Sequence, residues 1–218
     1  MISHILKLFL KTGITYGITV NNEIEEIEKL LDVLIPLIDK DDEIIVLQDV
    51  TDENLEVTTI LKSYGNKIKR ITSYLNADFA TFKNNLIRVA QKDYLFQIDA
   101  DEIPKETLIK ELKFYLFKNR KADVFMVPRI NIVNGITEEH IEKWNWNVNQ
   151  KGYINFPDYQ HRIFRLNKGI LWENKVHEKL CNYKKIKGLP SSDDSMCLLH
   201  IKEIERQEKQ NAFYDTIL

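Results

Sequence analysis

A chain of 218 residues, 44% of them hydrophobic, is long enough to bury a core without a disulfide or metal staple. It has seven glycines and no G-x-G-x-x-G or G-x-x-x-x-G-K-[ST], which excludes the glycine-loop phosphate cradles of dinucleotide folds and P-loops. The 31 basic and 33 acidic side chains leave a formal charge of -2, so no overall field favours nucleic acid.

The run Ile5 to Leu10 is apolar but carries Lys7 and falls far short of the roughly 20 residues of a membrane span, so it reads as a packed element of a soluble protein. Ile14 to Val20 is short and β-branched, which predicts a buried strand. Asn21-Asn22 predict an N-cap, with Glu23, Glu25 and Glu26 in the first turn. Ile24, Ile27, Leu30, Leu31, Leu34 and Ile38 then form one helical face, stopped near Pro36. Glu43 to Leu47 predicts a second strand, followed by the polar loop Gln48 to Asp52. A helix over Leu55 to Tyr64, closed by Gly65, leads to a third strand at Ile68 to Leu75. Helical spacing returns from Phe79 to Ala90, and Tyr94 to Ile98 is a fourth strand ending in Asp99-Ala100-Asp101-Glu102. A helix around Leu108 to Leu116 and a strand at Asp123 to Val133 complete the regular part. Strands alternating with helices predict an α/β sheet with right-handed crossovers up to about residue 130.

Residues 135 to 158 hold Trp144, Trp146, Tyr153 and Phe156 amid polar side chains. They read as an irregular loop pinned by aromatic anchors, with a sugar-stacking platform as the alternative. Gln160 to Leu166 and Leu198 to Lys202 predict further strands, and Glu203 to Leu218 a terminal helix with Ile204, Phe213, Tyr214 and Ile217 apolar. Cys181 and Cys197 form no C-x-x-C and suggest neither zinc nor a disulfide framework, which points to a reducing cytosol. Charge is uneven: residues 21–56 carry thirteen acids against two lysines, and residues 161–187 eight Lys or Arg against Glu173 and Glu178. Either these are solvated faces, or the basic segment lies near an anionic ligand.

In an open α/β sheet, ligands bind at the carboxyl ends of strands, where Gln48-Asp49 and Asp99-Ala100-Asp101 stand. In extended chain Asp99 and Asp101 point to one side, and two hard oxygen ligands there suit Mg²⁺ or Mn²⁺. Three routes use such a pair: aspartyl attack in a haloacid-dehalogenase-type phosphohydrolase, nucleotidyl transfer, and glycosyl transfer from a sugar nucleotide. The phosphohydrolase motif normally opens the first strand, and nucleotidyltransferases need a glycine-rich loop where Val20-Asn21-Asn22-Glu23 stands.

Five segments in order resemble glycosyltransferase family 2, and within it the bacterial and viral members related to lipopolysaccharide-core transferases. Thr19 to Glu23 resembles V-K-N-E, and Glu43 to Asp52 resembles D-E-I-I-V-V-D-T-G-S-T-D. Asp78-Phe79 with Lys83-Asn84 resembles D-F-s-x-x-R-N, and Tyr94 to Glu102 resembles W-I-L-x-L-D-A-D-E. Arg162 to Arg165, followed by Trp172 to Glu178, resembles R-L-F-R … W-x-G-x-V-H-E, with Asn174 where the pattern has glycine.

The resemblance implies a GT-A fold, Rossmann-like, with a mixed, mostly parallel sheet flanked by helices and an irregular C-terminal acceptor region. Residues 1–218 would form one domain, with about 14–133 binding the nucleotide sugar and about 134–218 carrying acceptor and catalytic functions. It further implies a metal-dependent, inverting hexosyltransferase of polysaccharide biosynthesis using Mn²⁺ or Mg²⁺ and a nucleoside-diphosphate sugar, a UDP-sugar favoured. The acceptor would be a glycan, lipid-linked or protein hydroxyl, with no nucleic acid partner and no transmembrane segment. The setting would be the cytoplasm or the inner membrane face. Thr19, Asn21 and Gln48 or Asp49 would line the base and ribose pocket, and Lys83 and Arg162 would supply cations. Asp99 and Asp101 would address ribose and metal, with His200 either a third metal ligand or a core histidine. Glu178 would be the catalytic base, with Asp158 as second choice; outside the resemblance, Glu178 reads as a surface salt bridge with Lys175 or Lys179. The phosphohydrolase and a catalytically silent sugar-nucleotide-binding module stay as alternatives.

Overall fold

The computed structural model describes residues 12–217; the Ile5–Leu10 element and the side chains of Phe213, Tyr214 and Ile217 lie outside the described residues. Strand β1 (Ile14–Val20) sends Ile14, Tyr16, Ile18 and Val20 to one face of the sheet, and β2 (Glu43–Asp49) adds Ile44 and Val46 there. Ile45 and Leu47 of β2 point the other way, into a second apolar layer. Burial on both faces is what a parallel strand needs, and it explains the near-continuous apolar runs.

Helix α1 (Ile24–Leu34) buries Ile27, Leu30, Leu31 and Leu34 against the first layer. Its N-cap position is Glu23 and not an asparagine: Glu23 Oε2 folds back to accept from Asn21 N at 2.8 Å and Asn22 N at 3.2 Å. Helix α2 (Leu55–Ser63) is capped by Asn54, whose side chain accepts from Glu56 N and Val57 N. After β3 (Lys69–Ser73), Asp78 caps α3 (Phe79–Val89) through Thr81 N. Helix α3 packs on the second layer through Leu86, close enough that a Cβ on Gly17 of β1 would meet Leu95 Cδ1 at 2.7 Å and Leu86 Cδ1 at 3.2 Å.

Strands β4 (Tyr94–Asp99) and β5 (Glu102–Pro104), helix α4 (Glu106–Lys118) and β6 (Val124–Asn134) follow. The region read as irregular holds a short helix, α5 (Glu138–Lys143), and the first half of β7 (Ile154–Arg165). The sequence pattern showed only the second half of β7, because Asn155 at φ 52° and Pro157 interrupt its alternation. Strands β8 (Leu171–Glu173) and β9 (Lys179–Cys181) pair as a separate ribbon, β10 (Ile186–Gly188) lies beside β6, and β11 (Leu198–Glu203) runs into α6 (Ile204–Ile217). The main sheet has the order β3-β2-β1-β4-β7-β6-β11-β5. Pairs from β3 to β4 are parallel, and β7 is antiparallel to both neighbours, so the sheet is mixed and mostly parallel. Among the described residues no helix is long and apolar enough to cross a membrane.

Candidate active site

Strands β1, β2 and β4 end at one edge, where register sets Thr19 beside Asp99 and Val20 beside Gln48. The loops leaving that edge, together with parts of β6, β7, β11 and α6, line a cleft of about 1090 Å³. Thr19, Asn21, Asp49, Lys83, Asp99 and Asp101 all reach it from the first half of the chain. Asp158, Arg162, Glu178 and His200 reach it from the second.

Gln48 does not. It is fully buried, donates to Thr58 Oγ1 at 3.0 Å and accepts from Arg70 Nε at 2.8 Å, facing α2. Consecutive strand residues point to opposite faces, so Asp49 takes the cleft side. Asp49 Oδ2 accepts from Asn21 Nδ2 at 2.9 Å, and Oδ1 from Thr51 N, Thr51 Oγ1 and Leu75 N at 2.8, 2.6 and 3.1 Å. Burial opposes its ionisation, but these donors outweigh it and hold the carboxyl below the usual range.

At the centre, five ions alternate in sign. Arg162, 5% exposed, donates through Nη2 to Asp99 Oδ2 at 2.6 Å and to Glu102 Oε1 at 2.5 Å. Arg129 joins Glu102 Oε1 at 3.0 Å to Asp158 Oδ2 at 2.7 Å. Burial disfavours the Asp99 carboxylate, yet Arg162 and Lys83 push its pKa far down, and Asp99 and Glu102 hold the Arg162 guanidinium charged. Asp99 Oδ1 accepts from Thr19 Oγ1 at 2.9 Å, so both its oxygens are engaged, which suits an orienting role better than metal ligation. Asp158 also accepts from Asn131 Nδ2 at 2.9 Å and Gln160 Nε2 at 2.6 Å. Its acidity, raised by Arg129 against burial, and the donors already on both its oxygens argue against a base at this position.

Asp101 lies in the turn after β4 rather than in extended chain, so alternation is not what brings it beside Asp99; the turn itself aims it into the cleft. His200 Nε2 stands 3.4 Å from Asp101 Oδ2, with Lys202 Nζ at 3.8 Å and Arg206 Nη2 at 3.3 Å. Burial works against the Asp101 charge, and His200 and Lys202 reverse it, holding the carboxyl at about 2. His200 Nδ1 lies 2.8 Å from Asn131 Oδ1; with that amide oxygen accepting, Nδ1 carries a proton, which leaves Nε2 as the atom that would coordinate a cation bound beside Asp101. One carboxylate plus one imidazole fits a divalent cation that completes its shell with phosphate and water. Among the described residues no group of three or more His, Cys, Asp or Glu could hold a metal unaided.

Glu178, in the turn between β8 and β9, is ion-paired with Lys83, not with Lys175 or Lys179. Lys83 Nζ lies 5.1 Å from the centroid of the Trp172 ring, whose Nε1 donates to buried Gln97 at 2.8 Å. Asn84 clamps the Trp172 backbone with two bonds of 2.9 Å, fixing β8 on α3. Asn174 adopts φ 73°, the left-handed conformation a glycine would take, so its replacement of glycine leaves the turn before Val176 intact.

The basic stretch 161–187 is mostly a solvated face: Lys168, Lys175, Lys179, Lys184, Lys185 and Lys187 are exposed, and Arg165 caps backbone carbonyls of Arg120 and Ala122. Only Arg162 of its cations lines the cleft. Sequence reading missed Glu102, Arg129, Asn131, Lys202 and Arg206. Polar residues two apart within apolar strands, Arg129 with Asn131 and His200 with Lys202, were the available signal.

The family model described as Glycosyl transferase family 2 matches residues 16–180. The SPbeta prophage-derived glycosyltransferase SunS of Bacillus subtilis (strain 168) is 30% identical over 174 residues, covering 78% of this chain and 35% of that protein. The chain thus spans about a third of the length of the curated relatives it matches. The structure of S. aureus TarS 1-349 superposes with a TM-score of 0.60 at 15% identity, covering 87% of this chain and 60% of that one. Its complex with UDP-GlcNAc gives 0.59 at 15%, covering 88% and 59%. The shared architecture is the GT-A fold.

Proposed function

The chain belongs to glycosyltransferase family 2, and on that premise we propose that it moves a sugar from a nucleoside-diphosphate sugar to a hydroxyl acceptor with inversion at the anomeric carbon. A uridine donor is favoured, and the acceptor is a glycan, a lipid-linked sugar or a protein. The observation that carries this reading is the convergence of Asp49, Asp99 and Asp101 at one sheet edge in the same cleft as Glu178.

Asp49, oriented by Asn21, reads the base; Asp99, oriented by Thr19 and Arg162, holds the ribose. Asp101 and His200 would hold Mn²⁺ or Mg²⁺, which when bound supplies a Lewis acid for the departing diphosphate. Glu178 accepts the acceptor's hydroxyl proton as that oxygen attacks C1, while the bond from C1 to the diphosphate oxygen breaks on the opposite face. Lys83 holds the Glu178 carboxylate in place and adds a fixed cation beside it. The phosphohydrolase alternative falls with family membership, and Asp99, tied at both oxygens, is a poor nucleophile.

A thermal-shift panel of UDP, GDP, dTDP and their sugars tests the proposal. One nucleoside diphosphate should raise the melting temperature, more with Mn²⁺ than with EDTA, and Asp101→Ala should abolish the metal's increment. No response to any nucleotide would overturn the reading. Binding of a donor with neither transfer nor hydrolysis, across a panel of acceptors with Mn²⁺, would instead identify a silent binding module.

A further inference from the structure

Helix α6 leaves β11 and turns one side chain, Arg206, back onto three acids. Its Nη1 meets Glu26 Oε1 at 2.8 Å, and its Nη2 meets Glu23 Oε1 at 3.0 Å and Asp101 Oδ2 at 3.3 Å. Glu23 and Glu26 stand at the start of α1, so the guanidinium ties α6 to that helix; Arg206, Glu23 and Asp101 all line the cleft. The Asp101 contact is the longest of the three, and it falls on the same oxygen, Oδ2, that faces His200 Nε2 at 3.4 Å.

A cation shared between Asp101 and His200 Nε2 would take that oxygen. A guanidinium carries a permanent positive charge and no acceptor atom, so it cannot join the shell of a metal and can only compete with it. It also has a second home, because with Asp101 given up Arg206 keeps both Glu23 and Glu26. We propose that Arg206 and a divalent cation are alternative partners of Asp101, so that α6 lowers the metal affinity of the cleft. Binding of the cation moves the guanidinium off Asp101 onto Glu23 and Glu26 alone, and removing the guanidinium strengthens the metal site. Arg206 is 35% exposed, so water and salt screen it, and about tenfold in metal affinity is the scale expected of one positive charge beside a dication. The inference rests on the metal reading above and deepens it.

The probe is Mn²⁺ itself, titrated onto the chain at fixed pH and ionic strength and followed by the electron paramagnetic resonance of the free ion, with circular dichroism as the check on folding. Arg206→Met should bind Mn²⁺ about tenfold more tightly than wild type. Arg206→Gln, which keeps a donor for the acids but no charge, gives the same reading where the methionine variant does not fold. Glu26→Gln cuts the tie between α6 and α1 but leaves the guanidinium beside Asp101, so it should bind Mn²⁺ no more tightly than wild type; a merely structural role for Arg206 predicts the same gain in both. In an Asp101→Ala background Arg206→Met should bring no gain. Unchanged or weaker binding in the folded Arg206 variants, a matching gain in Glu26→Gln, or a gain that survives Asp101→Ala overturns the competition and leaves the metal site standing. No Mn²⁺ binding by wild type or by either Arg206 variant overturns the metal site and this inference together.

Discussion

Replacing Arg162 by methionine tests whether the buried ions of the cleft act as one network. The guanidinium is 5% exposed and is the link between Asp99 and Glu102. Its removal leaves Asp99 with the Thr19 hydroxyl, and Glu102 with Arg129 and the Asp99 backbone N–H. Breaking a buried ion pair by deleting one partner costs about 3–5 kcal/mol, because the remaining charge stays desolvated. For a domain of this size each kcal/mol moves the melting temperature by roughly 2–4 °C, so Arg162→Met should melt about 6–20 °C lower. Scanning calorimetry measures this directly. The double variant Arg162→Met/Asp99→Asn should recover at least half of the loss, since the stranded carboxylate becomes a neutral amide still able to meet Thr19. If the double variant is as unstable as the sum of the singles, Arg162 contributes through packing and the charge argument is refuted. A loss below about 1 kcal/mol would refute it as well.

Three further outcomes follow from the same geometry. Glu178→Gln should keep donor affinity in titration calorimetry while turnover falls about 10²- to 10⁴-fold; undiminished turnover would remove it as the base. Asp49 has a folded pKa below its unfolded value, so its contribution is full at neutral pH and fades as pH falls below about 4 through the folded value. Asp49→Asn should therefore be less stable than wild type by about 1 kcal/mol at pH 7, with the gap closing in acid; a pH-independent gap would contradict this. Gly17→Ala places a Cβ 2.7 Å from Leu95 Cδ1, so urea denaturation should show a loss of about 1–3 kcal/mol from overpacking, and an unchanged midpoint would mean that α3 gives way.

The first half of the fold was legible because β1, β2 and β4 are buried on both faces and its helices on one, which imprints two different patterns on the sequence. The same double burial hid the choice between Gln48 and Asp49. Ile44 and Val46 share a face with Gln48, and Ile45 and Leu47 with Asp49, so apolar pattern could not say which face met the cleft. Asp99 and Asp101 were visible because acids at the end of an apolar strand stand out, though the turn rather than alternation directs the second. Arg129 and Lys202 were not visible. Their place at the site depends on β6 pairing with β11, an adjacency fixed by Asn131 opposite His200 and Val133 opposite Lys202, which no local pattern announces.

Strand order then explains how a glycine-poor chain gathers charge at one cleft. The carboxylates proposed to address nucleotide and metal, Asp49, Asp99 and Asp101, leave the parallel half of the sheet. The cations Arg162, Arg129 and Lys202 stand on β7, β6 and β11 across the β4–β7 boundary. Antiparallel pairing between those two strands ends at Phe96 opposite Ile163, one residue short of Arg162. Beyond that point the boundary is crossed by the Arg162 guanidinium reaching Asp99 at 2.6 Å. A side-chain bridge therefore stands where a backbone ladder would have closed the sheet edge, and the cleft opens there. Asp99 and Asp101 are thus paired with cations from across that boundary, so the charges of the cleft are set by side chains that only the complete sheet assembles.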